Sequence, residues 1–371
     1  MAKKKKPPIK IVAYQADWGA CYGYRLYFPL NTLKDKHEDL FKVDIKQLMT
    51  MPDMMAADIV ILARQVNAKV FANAINIRAE AGTKIIYETD DNFIDVPEWN
   101  PAHEFVSDPR VQQNFRVFLE ECDAIVVSTE DLKKTYSQFN DNVWVCPNSI
   151  WPEKTICRPR NNKMPVVGWA GSGSHHGDFK RIEPTLDELD RRGDVMLKMM
   201  WKPDYTGEHV YQVPWVQWAD YYVTLACADF DVGLAPLEDH KFNLGKSNIR
   251  YIEYSMAGTP IIASNVGPFA DCIEHEKTGI LINNDEEWLP AIDRLLRDRD
   301  FADQMTDNAY QDVLSRYNIH ENYKKWRELL RTVHNMPKRT TTRNFTLREE
   351  TEAQDVTASH PATQSTAPRL R

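Results

Sequence analysis

No C-x-x-C pair occurs among the six cysteines of this chain (Cys21, Cys122, Cys146, Cys157, Cys227 and Cys272). Scattered cysteines argue against a disulfide framework or a zinc ribbon and fit reduced, mostly buried thiols in a cytoplasmic protein. No run approaches the roughly 18 apolar residues that a bilayer-spanning helix needs. The N-terminus, MAKKKKPPIK, is basic but lacks the apolar stretch of a signal peptide, which again predicts a cytoplasmic location. Excess positive charge is missing too. A net charge of −8 argues against a nucleic-acid footprint over the whole chain, although a local basic groove stays possible.

Complete phosphate-binding fingerprints are also absent. In GWAGSGSHHG, residues 168–177, Gly171 and Gly173 fit the first two glycines of a dinucleotide loop, but His176 stands at the third. In HKFNLGKS, His240 stands where a Walker A loop needs its first glycine. These near-misses point to a phosphate ligand without P-loop machinery. An NAD-dependent oxidoreductase would rest on the glycine loop alone.

What is present is a soluble globular composition, 43% hydrophobic and 27% charged over 371 residues, long enough for two domains. From Ile9 short apolar runs alternate with helical patterns. The alternation pauses at WPEKTICRPRNNKMP and then restarts at VVGWAG. Strands alternating with helices predict an α/β chain with two largely parallel, Rossmann-like sheets. The expected division is a basic tail at 1–8, a first domain at 9–158 and a second at 159–318. A helix at 319–335 and a disordered tail at 336–371 complete it. Ligands of such sheets bind beyond the carboxyl ends of the strands, so two domains would share one cleft.

The stretch FNLGKSNIRYIEYSMAGTPIIAS, residues 242–264, organises the functional reading. Ser247 is placed to cap a helix whose apolar face is Ile249, Ile252 and Met256, and Gly258 is placed to end it. Lys246 and the helix start favour an anion, and Glu253 two turns on can accept hydroxyl hydrogens. That combination suits a sugar nucleotide. Gly171, Ser172 and Gly173 could bring backbone N–H groups to a phosphate, or form a plain glycine turn. His175 could bond a phosphate or a sugar hydroxyl, or stand in solvent, and no metal-ligand spacing surrounds it. Asp90 and Asp91 follow a strand, as a base, hydroxyl acceptors or magnesium ligands, with a helix cap as the bland alternative. Gly19 and Arg25 lie in the loop after the first strand. Arg25 could pair with an anion or make an ordinary surface ion pair. Trp215 and Trp218 read as packing residues rather than a stacking platform.

Strand FDVGLAPL followed by FNLGKSNIRYIEYSMAGTPIIASNVGPFADCIEHEKTGILI resembles the donor-binding half of GT-B glycosyltransferases, nearest to family four. The likeness runs over roughly residues 9–333 and is most specific over 229–282. It implies two Rossmann-like domains facing a cleft, with the last helix crossing back to the first. By position Glu253 matches the second glutamate of the family's E-x7-E motif, which holds the ribose hydroxyls. The first should stand at 245, where this chain has Gly245, so Lys246 and Ser247 take the phosphate role. The resemblance implies a hexosyl or pentosyl transferase with a nucleotide-sugar donor, a retaining mechanism, and no catalytic metal or cofactor. Lys246 and Asp90 are the expected catalytic residues. Gly171, Ser172, Gly173, His175, Ser247 and Glu253 are expected on the donor side, and Gly19, Arg25 and Asp91 on the acceptor side. The acceptor is a carbohydrate or another hydroxyl compound. The alternatives are a hydroxymethylated base in DNA, or a non-catalytic protein that binds a nucleotide sugar.

Overall fold

The computed structural model describes residues 6–16, 19–157, 162–202 and 204–339. Most of both expected tails therefore lies outside the described residues. The first sheet holds β1 (Ile9–Tyr14), β2 (Phe41–Lys46), β3 (Ile59–Ala63), β4 (Lys84–Thr89), β5 (Ala124–Val127) and β6 (Val143–Val145). Its spatial order is β2-β1-β3-β4-β5-β6 and every pairing is parallel. The second sheet holds β7 (Val166–Ala170), β8 (Met196–Met200), β9 (Val210–Val213), β10 (Val232–Ala235), β11 (Ile261–Ser264) and β12 (Ile280–Ile282). Its order is β12-β11-β10-β7-β8-β9, again all parallel.

Burial on both faces is why the strands read as continuous apolar runs rather than alternating ones. On the first sheet Val12, Val60, Ile85 and Ile125 point into one core, and Ile11, Ile59, Ile86 and Val126 into the other. The second sheet likewise divides Val166, Ala235 and Ala263 from Val167, Leu234 and Ile262. The C-terminal helix Ile319–Asn335 buries Ile319, Tyr323, Trp326, Leu329, Leu330 and Val333 in the same core as Ile11, Ile61 and Val126 of the first sheet. Its apolar positions repeat with helical spacing, and the surface they need belongs to the other half of the molecule. Beyond it, the carbonyl of Pro337 accepts from Lys84 Nζ at 2.6 Å and Arg339 Nη1 donates to the carbonyl of Cys122 at 2.7 Å.

Three local features shape the connections between strands. The connection between β2 and β3 contains a helix, Met51–Ala56, begun by Thr50 Oγ1 accepting from the backbone N–H of Asp53. The run VPWVQW leaves the sheet after its first residue. β9 ends at Val213, where Pro214 has no N–H to extend a ladder, and a helix opens at Trp218. The loop after β1 is largely helical. A turn at Ala20–Tyr22 runs through a π-helical segment, Gly23–Tyr27, into the helix Phe28–Lys36. Such π segments insert extra residues into a helix and often mark functional sites.

Candidate active site

The stretch after β10 is the seam between the two halves. Lys246 Nζ lies 2.9 Å from Asp91 Oδ1, and the carbonyl of Gly245 accepts from Thr129 Oγ1 at 3.2 Å. Ser247 Oγ accepts from Asn148 Nδ2 at 2.9 Å, and Glu253 Oε1 accepts from the Tyr24 hydroxyl at 2.6 Å. Glu238 Oε2 accepts from Trp99 Nε1 at 3.0 Å. All five partners come from the first half, at or beyond the carboxyl ends of its strands. Ser247 thus spends its hydroxyl across the seam rather than as a cap. The helix it precedes, Ile249–Ala257, starts at Asn248 with no side-chain cap and ends at Gly258 with φ of 75°.

The seam accounts for Gly245. A Cβ there would lie 2.8 Å from Leu132 Cδ2 and 3.4 Å from the Cβ of Asn92, both in the first half. Leu132 is fully buried, so any larger side chain at this position would force it to repack.

Cationic and donor groups gather here. Arg64 at the end of β3 donates to Asp90 Oδ1 at 2.5 Å and pairs with Asp91 Oδ2 at 2.8 Å. It does so from a left-handed backbone with φ of 54°, an arrangement that costs of order 1 kcal/mol and collects at functional positions. Asp90 and Asp91 are 6% and 9% exposed, and no helix begins beside them, so the cap alternative falls away. Burial pushes the Asp91 carboxyl up, but Lys246 and Arg64 outweigh it and hold it well below the usual carboxylate range. Lys246 also sits 4.5 Å above the Phe242 ring. One turn along, Arg250 donates to Glu253 Oε2 at 2.5 Å and to the Tyr221 hydroxyl. Tyr221 in turn donates to the same Glu253 oxygen at 3.0 Å.

Glu253 is only 2% exposed and both its oxygens are engaged, one by a phenol of each half. A ligand diol would reach it by replacing those phenols. Arg25 does not offer a free guanidinium. It is 1% exposed, donates through Nε to Glu88 Oε1 at 2.5 Å, and through Nη1 to the carbonyl of Cys146 and to Asn148 Oδ1. The pair is buried rather than at the surface, and Arg25 braces β4 against the segment after β6. Burial pushes the Glu88 carboxyl up to about 7, with Arg25 pulling it back. Gly19 accepts through its carbonyl from the N–H of Tyr22 at 3.1 Å, where the helical segment begins.

The glycine loop follows β7. A Cβ at Gly171 would strike the Trp169 ring at 2.2 Å, so this position demands glycine for packing. Ser172 and Ser174 share a bond between hydroxyls at 2.8 Å. Gly173 opens a single 3-10 turn to His175 and faces Pro101 of the first half, and Trp99 lies against Gly177. His175 Nδ1 lies 2.8 Å from Asp178 Oδ2. Burial lowers the His175 pKa and Lys246 and Arg250 lower it further, against the raising effect of Asp178. Asp178 also accepts from the N–H of Glu238 and from Asn243 Nδ2, which ties the glycine loop to the loop that leads into Lys246 and Arg250. Trp218 packs against Tyr22, Tyr27 and Phe28, joining the halves, whereas Trp215 is 40% exposed.

Sequence reasoning missed Arg64, Asp178, Tyr24, Tyr221 and Arg250. Arg250 and Asp178 had a usable signal, each lying three residues from a singled-out site residue, Glu253 and His175. Among the described residues no cluster of three or more His, Cys, Asp or Glu side chains is arranged to hold a metal ion, and no helix is long and apolar enough to cross a membrane.

Comparison with known proteins bears on this geometry. Residues 249–312 match the family model for glycosyl transferases group 1, and Arg250 and Glu253 lie inside that match. A stretch of 68 residues is 35% identical to an uncharacterized glycosyltransferase of Methanocaldococcus jannaschii, covering 18% of this chain and 17% of that protein. The chain thus spans under a fifth of that relative's length in the match. Two solved structures resemble the whole fold. A sucrose-phosphate synthase from Thermosynechococcus elongatus superposes with a TM-score of 0.63 at 14% identity, over 87% of this chain and 99% of that one. Anabaena HepE in complex with UDP-glucose does so with a TM-score of 0.63 at 14% identity, over 87% and 100%. The chain has the two-sheet α/β architecture of the GT-B glycosyltransferases, and its residues 249–312 carry the sequence pattern of the group 1 glycosyl transferases.

Proposed function

We propose that this protein is a glycosyltransferase that moves a sugar from a nucleotide-sugar donor to an acceptor hydroxyl. The observation that carries the reading is that Asp178 ties His175 to Asn243, three residues before Lys246, while Arg250 pairs with Glu253 on the helix that follows, at the strand ends of a GT-B fold. The second half, 159–318, is the donor side and the first half, 9–158, the acceptor side. UDP-glucose in Anabaena HepE makes a uridine nucleotide the first donor to test.

Chemically, the bond between the anomeric carbon and the diphosphate oxygen breaks with its electron pair going to the diphosphate, the acceptor oxygen bonds the carbon, and the acceptor's proton passes to the departing diphosphate. Lys246 neutralises charge on the departing diphosphate, a preorganised electrostatic contribution of several kcal/mol in comparable sites. Ser247 lies beside it, and Gly171, Ser172 and Gly173 line the same side. Glu253 takes the ribose hydroxyls once Tyr24 withdraws. Asp90, held by Arg64, receives the acceptor hydroxyl, with Asp91 and the Gly19 segment completing that side. Because Arg64 and Lys246 neutralise the two aspartates, the reading assigns them no metal. Retention of configuration, membership of family four and a cytoplasmic setting complete the proposal.

A thermal-shift screen of nucleoside diphosphates, nucleotide sugars and NAD tests it. A ligand at 100 times its dissociation constant should stabilise the fold by about 2.7 kcal/mol. Stabilisation by a nucleotide sugar, followed by transfer to a hydroxyl acceptor, is expected. Stabilisation by NAD alone, or by no nucleotide, would sink the reading.

A further inference from the structure

The sequence leaves His175 with three possibilities, a phosphate, a sugar hydroxyl or solvent. The structure chooses among them through a residue that the sequence reading passed over. Asp178 is fully buried two residues into the short helix that follows the glycine loop. Its Oδ1 accepts from the backbone N–H of Glu238 at 2.8 Å and from Asn243 Nδ2 at 2.7 Å. Its Oδ2 lies 2.8 Å from His175 Nδ1. One carboxylate therefore ties the glycine loop to the loop after β10 and fixes the imidazole ring.

A carboxylate whose two oxygens both serve as acceptors obliges Nδ1 to carry a proton. Burial, Lys246 and Arg250 all work against a second proton on the ring. The remaining nitrogen, Nε2, is then a lone pair. It has no partner among the described residues and is not sealed from solvent, the His175 side chain being 26% exposed. A lone pair accepts and does not donate, and a phosphate oxygen only accepts, so the two do not pair. A hydroxyl does donate.

We propose that Asp178 is a positioning residue that holds His175 in the Nδ1–H tautomer, so that Nε2 accepts a hydroxyl of the donor's sugar while Lys246 and Arg250 take the diphosphate. This rests on the glycosyl-transfer reading for the identity of the hydroxyl, but the tautomer itself is a property of the free protein.

The experiment uses the full chain with 15N-labelled histidine, the His175 signals being identified by their loss in His175→Gln. Long-range proton–nitrogen correlation at pH 7 without ligand should show Nδ1 protonated and Nε2 bare. Asp178→Asn inverts this. An amide has one acceptor oxygen, which Glu238 and Asn243 require, so its NH2 faces Nδ1 and the proton moves to Nε2. In titrations the same variant should bind UDP with unchanged affinity and UDP-glucose about tenfold more weakly, the loss of one hydrogen bond. A wild-type ring protonated on Nε2 overturns the proposal, a result that needs no variant to fold. Equal weakening of UDP and UDP-glucose in Asp178→Asn also overturns it, leaving Asp178 a strut between loops. A wild-type chain that binds neither nucleotide would count against the glycosyl-transfer reading, while the two ligand-free spectra would still decide the role of Asp178.

Discussion

Lys246 has two candidate jobs, bridging the halves through Asp91 and receiving a diphosphate, and substitution separates them. In the ligand-free protein its ammonium lies 2.9 Å from Asp91 Oδ1, with side chains 13% and 12% exposed. Asp91 does not depend on it alone, because Arg64 holds the other oxygen at 2.8 Å. Lys246→Ala therefore removes one charged hydrogen bond without stranding a buried carboxylate. A charged hydrogen bond is worth about 1.5–3 kcal/mol net, so losing one to a diphosphate should weaken UDP binding by about 10- to 150-fold. Asp91→Asn acts in the opposite direction. It removes the anion that competes with the ligand, leaves Lys246 over the Phe242 ring, and should leave UDP affinity unchanged or raise it. Calorimetric titration of UDP into both variants, with circular dichroism to confirm folding, reads the difference. If the two substitutions weaken UDP equally, Lys246 is only a bridge between the halves, and its assignment as a phosphate ligand is wrong.

Two further perturbations probe the buried polar groups. Burial raises the folded pKa of Glu88 from 4.5 to about 7, so between those values the folded chain holds a proton that the unfolded chain has released. Its contribution to stability is complete below about pH 4.5 and is lost as pH rises through 7, about 3 kcal/mol in all at 1.4 kcal/mol per unit. Glu88→Gln should flatten that part of the curve in urea unfolding at pH 5 and pH 7.5, and an unchanged slope would remove Glu88 as its source. Tyr24→Phe deletes the 2.6 Å bond to Glu253 across the seam. It should cost about 1–3 kcal/mol of stability and, by freeing Oε1 for a ligand diol, tighten nucleotide binding. Weaker UDP binding in that variant would argue against a ribose at Glu253.

Much of the architecture is legible in the residues. The runs IKIVAY, ADIVILA, KIIYET and AIVV are apolar without alternation because each is buried on both faces, and they form β1, β3, β4 and β5. Gly82, Gly193 and Gly258 each end a helix in the left-handed region, where glycine carries no steric penalty. Errors arose where tertiary contacts spend a residue differently from its local preference. Ser247 is a good cap by propensity, but Asn148 from the other half claims its hydroxyl. Arg25 looks free in a Gly- and Tyr-rich loop, yet Glu88, 63 residues away, takes it into the core.

The sequence by itself determined two α/β halves and the stretch that matters, 242–264, because periodicity and helix-ending glycines are short-range properties of the chain. Only the tertiary structure decided what that stretch touches. It made Lys246, Gly245, Ser247 and Glu253 a seam against Asp91, Thr129, Asn148 and Tyr24. It also set Asp178 behind His175. The seam pairings depend on how two sheets face one another, and contacts between residues about 100 or more positions apart leave no local trace in the chain.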